Sequence, residues 1–240
     1  MQRSFCLLAI GVLAFSLAPF FTSRVFAQSK AAPKAPTVPD QLAPEIQAHQ
    51  SGVRMTLLAE HPSLVTPTGI DVDGQGRIWL ISCHTHFRPE GYSGPEHDEL
   101  LVFDKDGQNR RVFYNKTDAT MHVKLGADGW VYLAERDRIL RVKDSDGDGV
   151  GDIEENVAVL DSVSDYPHNG LSGMAWHPNG GLVFSLGENF GKDWTLSARD
   201  GSQLSGRGEG GVFWASADGT KMRRIARGFW NPFGLLVRAD

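Results

Sequence analysis

The sequence predicts an all-β fold, a β-propeller of four-stranded antiparallel blades. Three observations predict it. First, a unit of apolar strand, tight polar turn and second strand recurs: TGIDVDGQGRIWLIS at 68–82, HVKLGADGWVYLAE at 122–135 and SGMAWHPNGGLVFSL at 172–186. Gly69, His122 and Gly173 hold equivalent places, as do the turn glycines Gly76, Gly129 and Gly180. A spacing of roughly 50 residues is that of a propeller array. Second, the connections read DGQG, KDGQ, ADG, PNGG and ADGT, the residues that tight hairpins require. Third, no stretch carries a long helical period.

Taken in order, residues 1–27 read as a secretory signal peptide. Arg3 gives the positive start, 5–21 is apolar apart from Ser16, and Val25-Phe26-Ala27 is a small-x-small cleavage site. The apolar run is short for a bilayer span, so export to the periplasm or medium with no membrane span is expected. Residues 28–50 are an Ala/Pro-rich linker holding Pro33, Pro36, Pro39 and Pro44. The partial propeller fills 51–240, with a leading strand at 53–60 and blades at about 66–115, 120–161 and 168–227. A fourth blade begins at 231. Within the blades, strands are expected at 69–72, 77–82, 99–103 and 111–114, then 122–125, 130–135, 138–142 and 156–160. The third set is 173–176, 181–186, 211–215 and 222–226. A ring needs about four to eight blades, so the chain reads as a fragment or truncated product of a longer propeller.

The net charge is −5, and −7 without the two arginines of the first 27 residues. This acidic balance argues against a nucleic-acid partner, which needs a basic face. Of the two cysteines, Cys6 leaves with the signal, so Cys83 has no intrachain disulfide partner. Neither belongs to a Cys-x-x-Cys-His motif, so no c-type haem is attached to this chain.

The strongest local motif is KDSDGDGVGDIEE. Asp144, Asp146, Asp148, Gly149, Asp152 and Glu155 fit the calcium-loop spacing D-x-D-x-D-G-x5-E. Calcium takes six to eight hard oxygens, and a tight loop turns alternate side chains inward. Position eight is Gly151, where such loops carry an apolar residue, and strands rather than helices flank the loop. The competing reading is a solvated Asp/Gly turn. A second cluster, Cys83, His84, His86 and His97, lies in one long loop with ligand types suited to zinc or copper, or with histidines that only bond their neighbours. A third candidate is His168 in YPHNG, directly before an inner strand, where a neutral imidazole can take a substrate proton.

HTHFRPEGYSGPEHDELLVFD, DSDGDG, YPHNGLSG, GENFG, GEGG and GFWNPFGL, in that order, resemble the propeller of the membrane-bound dehydrogenase family, secreted bacterial proteins often with a C-terminal haem-c domain. That group is distantly similar to the soluble quinoprotein glucose/sorbosone dehydrogenases, six-bladed propellers using pyrroloquinoline quinone (PQQ) and calcium. The resemblance implies oxidation of a sugar or polyol, with His168 as catalytic base and Asn189, Trp230 and Asn231 at the cofactor. It also implies a downstream haem-c domain as partner. Trp230 stands where the quinoprotein family has arginine; tryptophan stacks on a flat ring but does not neutralise carboxylates. The alternatives are a non-catalytic propeller that binds carbohydrate or protein, and a calcium-dependent lactonase-like hydrolase.

Overall fold

Alternation along residues 131–142 places successive side chains on opposite faces of one sheet, and both faces are buried. In the computed structural model, which describes residues 49–239, Val131, Leu133, Leu140 and Val142 face the preceding blade. Tyr132, Ala134 and Ile139 face the following one. The expected signal peptide, and the expected linker up to residue 48, lie outside the described residues.

Blade 1 is β1 (Pro67–Val72), β2 (Ile78–Ser82), β3 (Asp98–Phe103) and β4 (Arg111–Thr117), hydrogen-bonded in that order. Blade 2 is β5 (His122–Leu125), β6 (Val131–Ala134), β7 (Arg138–Lys143) and β8 (Ile153–Ser162). Blade 3 is built from β9 (Leu171–Trp176), β10 (Leu182–Leu186), β13 (Gly210–Ala215) and β14 (Met222–Phe229). All these pairings are antiparallel. Between β10 and β13 the chain leaves blade 3. The hairpin of β11 (Asp193–Ala198) and β12 (Gln203–Arg207) joins the outer edge of blade 2 through β8, with Leu196 opposite Leu160, making a six-stranded sheet.

Two apolar cores follow. Trp79, Ile81, Leu100 and Phe113 of blade 1 close on Val123, Leu133 and Leu140 of blade 2. Tyr132, Ile139 and Val157 close on Leu171, Met174, Phe184 and Phe213, with Trp194 and Leu196 of the hairpin. Inner strands abut closely. A Cβ on Gly69 would lie 2.8 Å from Val123 N and 2.9 Å from His122 Cα, so β1 tolerates no side chain there.

Two expected strands are not formed. Residues 53–60 hold no strand, and 231–239 run without a ladder partner among the described residues. An apolar run becomes a strand only where a neighbour supplies backbone partners. The start of the second segment, Pro232 and Phe233, lies against β9. A Cβ on Gly173 would meet Phe233 O at 2.7 Å, and the buried Ser172 and Ser185 hydroxyls both donate to Pro232 O. The chain divides into two units, and of Val12–Glu60 the described part, 49–60, carries one turn.

His122, in the place taken by glycine on the other two blades, has a buried Nδ1 without a hydrogen-bond partner. Burial, helped by the Lys124 charge, pulls its pKa from 6.5 to about 4. The folded state therefore favours the neutral ring. The stability this contributes is complete above pH 6.5 and is lost as pH falls from 6.5 to about 4. That drop corresponds to about 3 kcal/mol. Urea midpoints measured from pH 7 to pH 4 should fall more steeply for the native protein than for His122→Gln. Parallel curves would contradict this account.

Candidate functional site

In a four-stranded meander, the loop entering the first strand and the loop joining the second to the third lie at the same end of the sheet. Residues 83–97 join β2 to β3, and residues 163–170 enter β9. These two loops meet. His86 and His168 lie 2.8 Å apart, Nε2 to Nε2, one ring donating to the other. Tyr166 stands edge-on to His168 with centroids 4.9 Å apart, and Phe233 does so at 5.2 Å. Both imidazoles are partly exposed. Among the described residues neither Nδ1 takes a hydrogen bond. Partial burial and the neighbouring His86 ring hold the pKa of His168 below 6.5, so it is neutral near pH 7.

His168 owes its position to local geometry. Pro167–Asn169 form a single 3-10 turn with Pro at its start. Gly187 lets the segments behind it close up: a Cβ there would lie 2.4 Å from His168 O and 2.7 Å from Asn231 Oδ1. Asn189 is fully buried. Its amide donates to Asn169 O at 3.0 Å and Gly187 O at 2.9 Å, and its carbonyl accepts from Ser162 Oγ at 2.6 Å. Asn231 Oδ1 accepts from Glu188 N at 3.1 Å. Trp230 is 72% exposed, and its backbone carbonyl accepts from Glu188 N.

The four residues assigned by resemblance are thus neighbours in the fold, but they do not make a quinone site. Asn189 spends its polar atoms inside the protein, and Asn231 pins the 187–189 turn. Trp230 brings no cation to the place where PQQ carboxylates need one. The residues present do not fit PQQ.

The proposed four-member histidine and cysteine cluster is dispersed. His84 is buried between Tyr92 Oη at 2.7 Å on Nδ1 and Ser82 Oγ at 3.2 Å on Nε2. His97 bonds Asp118 at 3.0 Å. Buried Cys83 points at Asp98, and burial pushes its thiol up to about 11. Only His86 reaches the meeting of the loops. Its partner lies 82 positions away, a distance at which no local spacing signals contact. Phe233, 65 positions from His168, escaped notice for the same reason.

The calcium motif lies between β7 and β8, at the opposite end of blade 2 from the entry loops. Asp144, Asp146 and Asp148 bring ligand oxygens within 4.8 Å of one another. Two oxygens on opposite sides of one calcium, each about 2.3–2.6 Å from it, lie about 5 Å apart, so these three fit the ion. Asp144 accepts from Gly147 N at 2.7 Å and Gly149 N at 2.9 Å, and both glycines have positive φ. Two expected ligands stand apart. Asp152 is held by Ser145 N and Oγ. Glu155 is already in β8, opposite Arg141, and pairs with Arg141 and with Arg199 at 2.5 Å. The strand ladder turns Glu155 to these guanidiniums, which hold its carboxyl below the usual range. Gly151 is explained as well. A Cβ there would lie 2.4 Å from Val142 Cγ1 and 3.0 Å from Phe113, so an apolar side chain at this position would drive the loop off blade 1.

Comparison with solved structures finds propellers of low identity. A calcium-binding regucalcin from Agrobacterium tumefaciens is 17% identical, with TM-score 0.42 over 72% of this chain and 46% of that one. A gluconolactonase from Xanthomonas campestris is 14% identical, with TM-score 0.43 over 72% and 61%. A virginiamycin B lyase from Staphylococcus aureus is 15% identical, with TM-score 0.38 over 70% and 57%. The chain spans about half the length of these structures. No curated protein matches the sequence. The family model described as Domain of unknown function (DUF7133) matches residues 39–238, and the chain belongs to that family.

Proposed function

We propose that the His86–His168 pair is the proton-transfer centre of a hydrolytic site for a sugar-like lactone or ester. The observation that carries this reading is the 2.8 Å Nε2–Nε2 bond between two partly exposed rings from different blades. In a neutral pair, one Nε2–H donates to the other Nε2. The donating ring then keeps a lone pair on Nδ1, and the accepting ring keeps an Nδ1–H. The pair is a base at one end and an acid at the other. Water gives a proton to the free Nδ1, and its oxygen bonds to the acyl carbon. The acyl–oxygen bond breaks, and the other Nδ1–H protonates the departing oxygen. The shared proton crosses between the Nε2 atoms, so both rings end neutral with their roles exchanged. Tyr166 and Phe233 wall the pair, and the exposed Trp230 follows blade 3; aromatic faces of this kind stack on sugar rings.

Sugar oxidation by a quinone is less well supported, because Trp230, Asn189 and Asn231 do not fit PQQ. The site would work after export, on a small polyhydroxylated molecule, with any haem-c partner a separate module. The test is to give the purified chain aldonic acid lactones and follow acid release, in parallel with sugar, PQQ, calcium and a redox dye. Acid release above the uncatalysed rate, without sugar-dependent dye reduction, is expected. Dye reduction without acid release would overturn the reading.

Calcium enters this proposal as a structural ion, since Asp144, Asp146 and Asp148 lie at the end of the blade away from the histidines. Asp144, Asp146 and Asp148 would hold it, and its two positive charges would offset most of their three negative ones and so brace the β7–β8 turn. Adding calcium should raise the melting temperature by mass action, and Asp146→Ala should abolish the rise. A rise of equal size in the variant would contradict the site.

A further inference from the structure

The mechanism leaves one fully buried acid unexplained. Asp98, the first residue of β3, has 0% exposure. Its Oδ1 accepts from His84 N at 2.6 Å, Thr85 N at 2.8 Å and Thr85 Oγ1 at 2.9 Å. Its Oδ2 accepts from Thr120 N at 2.8 Å, with Cys83 Sγ at 3.4 Å. A carboxylate is worth burying only where donors replace its water, and here they come from two segments. One is the start of the long loop, Cys83 to Thr85. The other is the entry to blade 2, where Ala119 N also donates to Thr85 Oγ1 at 2.5 Å. Ala119 itself sits at φ +46, in the left-handed region that non-glycine residues avoid, and this bond helps to hold it there.

His86 follows Thr85 directly. We propose that Asp98 is the positioning residue of the histidine pair: it fixes the backbone of residues 83–85 to the entry of blade 2 and so aims His86 at His168. This rests on the reading of that pair as the proton-transfer centre. After Thr85 the chain turns outward, with Phe87 80% exposed and Arg88 Nε donating back to His84 O at 3.1 Å. The clamp ties the start of this loop, directly before His86, to the entry of blade 2. Asp98 touches neither ring among the described contacts, so it acts through the backbone of residues 84–85 and the Thr85 hydroxyl.

The chemistry of the substitution is favourable. Asn has nearly the same shape, but one carboxylate oxygen becomes an NH2 that donates. It keeps either the His84/Thr85 bonds or the Thr120 bond, and loses the other. A merely structural acid would lower stability and leave the imidazole titrations alone. A positioning acid moves His168, whose neighbours are His86, Tyr166 and Phe233.

The experiment is imidazole 15N NMR of the full chain across pH, for the native protein, Asp98→Asn and Thr85→Val, with His86→Phe marking the shift when the partner ring is gone. Asp98→Asn should raise the His168 titration toward the His86→Phe value and lower kcat with little change in KM. A folded Asp98→Asn with the native His168 titration overturns the proposal. If Asp98→Asn does not fold, Thr85→Val carries the same two outcomes, because it removes the hydroxyl that links Asp98 to Ala119. An upward shift in the variant, together with no acid release by the native protein, leaves Asp98 as the positioning residue and overturns the hydrolytic reading instead.

Discussion

His168→Gln should lower lactone hydrolysis by about 10²- to 10⁴-fold, the contribution expected of a positioned acid–base group. The loss should appear in kcat, because the imidazole acts on protons that move in the transition state. Glutamine fills similar space and can still hydrogen-bond His86, but it cannot exchange a proton. His168 is only partly buried, in the middle of a short 3-10 turn, so the melting temperature should change little. His86→Gln should lose a comparable amount, and the double variant little more than either alone, since the rings act as one unit. Additive losses would mean two independent groups. A variant that lost stability and no activity would make His168 a structural residue.

Trp194→Ala should be the most damaging change to the fold. Trp194 is 2% exposed at the start of the hairpin that crosses from blade 3 to blade 2. Its ring stands edge-on to Phe213 at 5.8 Å, with the Arg224 guanidinium over it at 4.9 Å. Gly206 makes room, since a Cβ there would lie 2.3 Å from Trp194 Cζ2. Truncating a buried tryptophan removes its transfer energy and leaves a cavity, together about 3–5 kcal/mol. The loss falls on the element that ties two blades together. A lower urea midpoint at unchanged slope is expected, and Trp194→Phe should recover part of it. A change under about 1 kcal/mol would mean the hairpin does not hold the blades together.

The same hairpin shows where sequence reading stopped. The twelve strands of the three blades are legible because each has a period of two, or a continuous apolar run, between tight turns. The β6–β7 stretch is a clear case, with Val131, Leu133, Leu140 and Val142 on one face and Tyr132 and Ile139 on the other. Trp194 and Leu196 also alternate with polar residues. Their pairing partner, however, is β8 of another blade, and no local signal names a distant partner. The converse error arose at 53–60 and 231–239, which have the composition of strands but form no strand ladder among the described residues. At the candidate site, His168 was legible from its place before an inner strand, and Asp144, Asp146 and Asp148 from their alternation. Glu155 was misread because the flanking strand was expected to start only at residue 156, whereas β8 begins at Ile153 and gives Glu155 to Arg141. The His86–His168 contact and the Asp98 clamp are products of blade packing and could be seen only in three dimensions.

The most direct test of the central claim is the pH dependence of kcat/KM for lactone hydrolysis by the native chain, corrected for the uncatalysed rate. Because the pKa of His168 is held below 6.5 by partial burial and by His86, the free base is present through neutral pH and is lost only under acid. The account predicts a rate that is level near pH 7 and falls with unit slope below an apparent pKa under 6.5, with the slope absent from the residual activity of His168→Gln. A native profile without that acid limb, or the same limb surviving in His168→Gln, would contradict proton transfer at this pair.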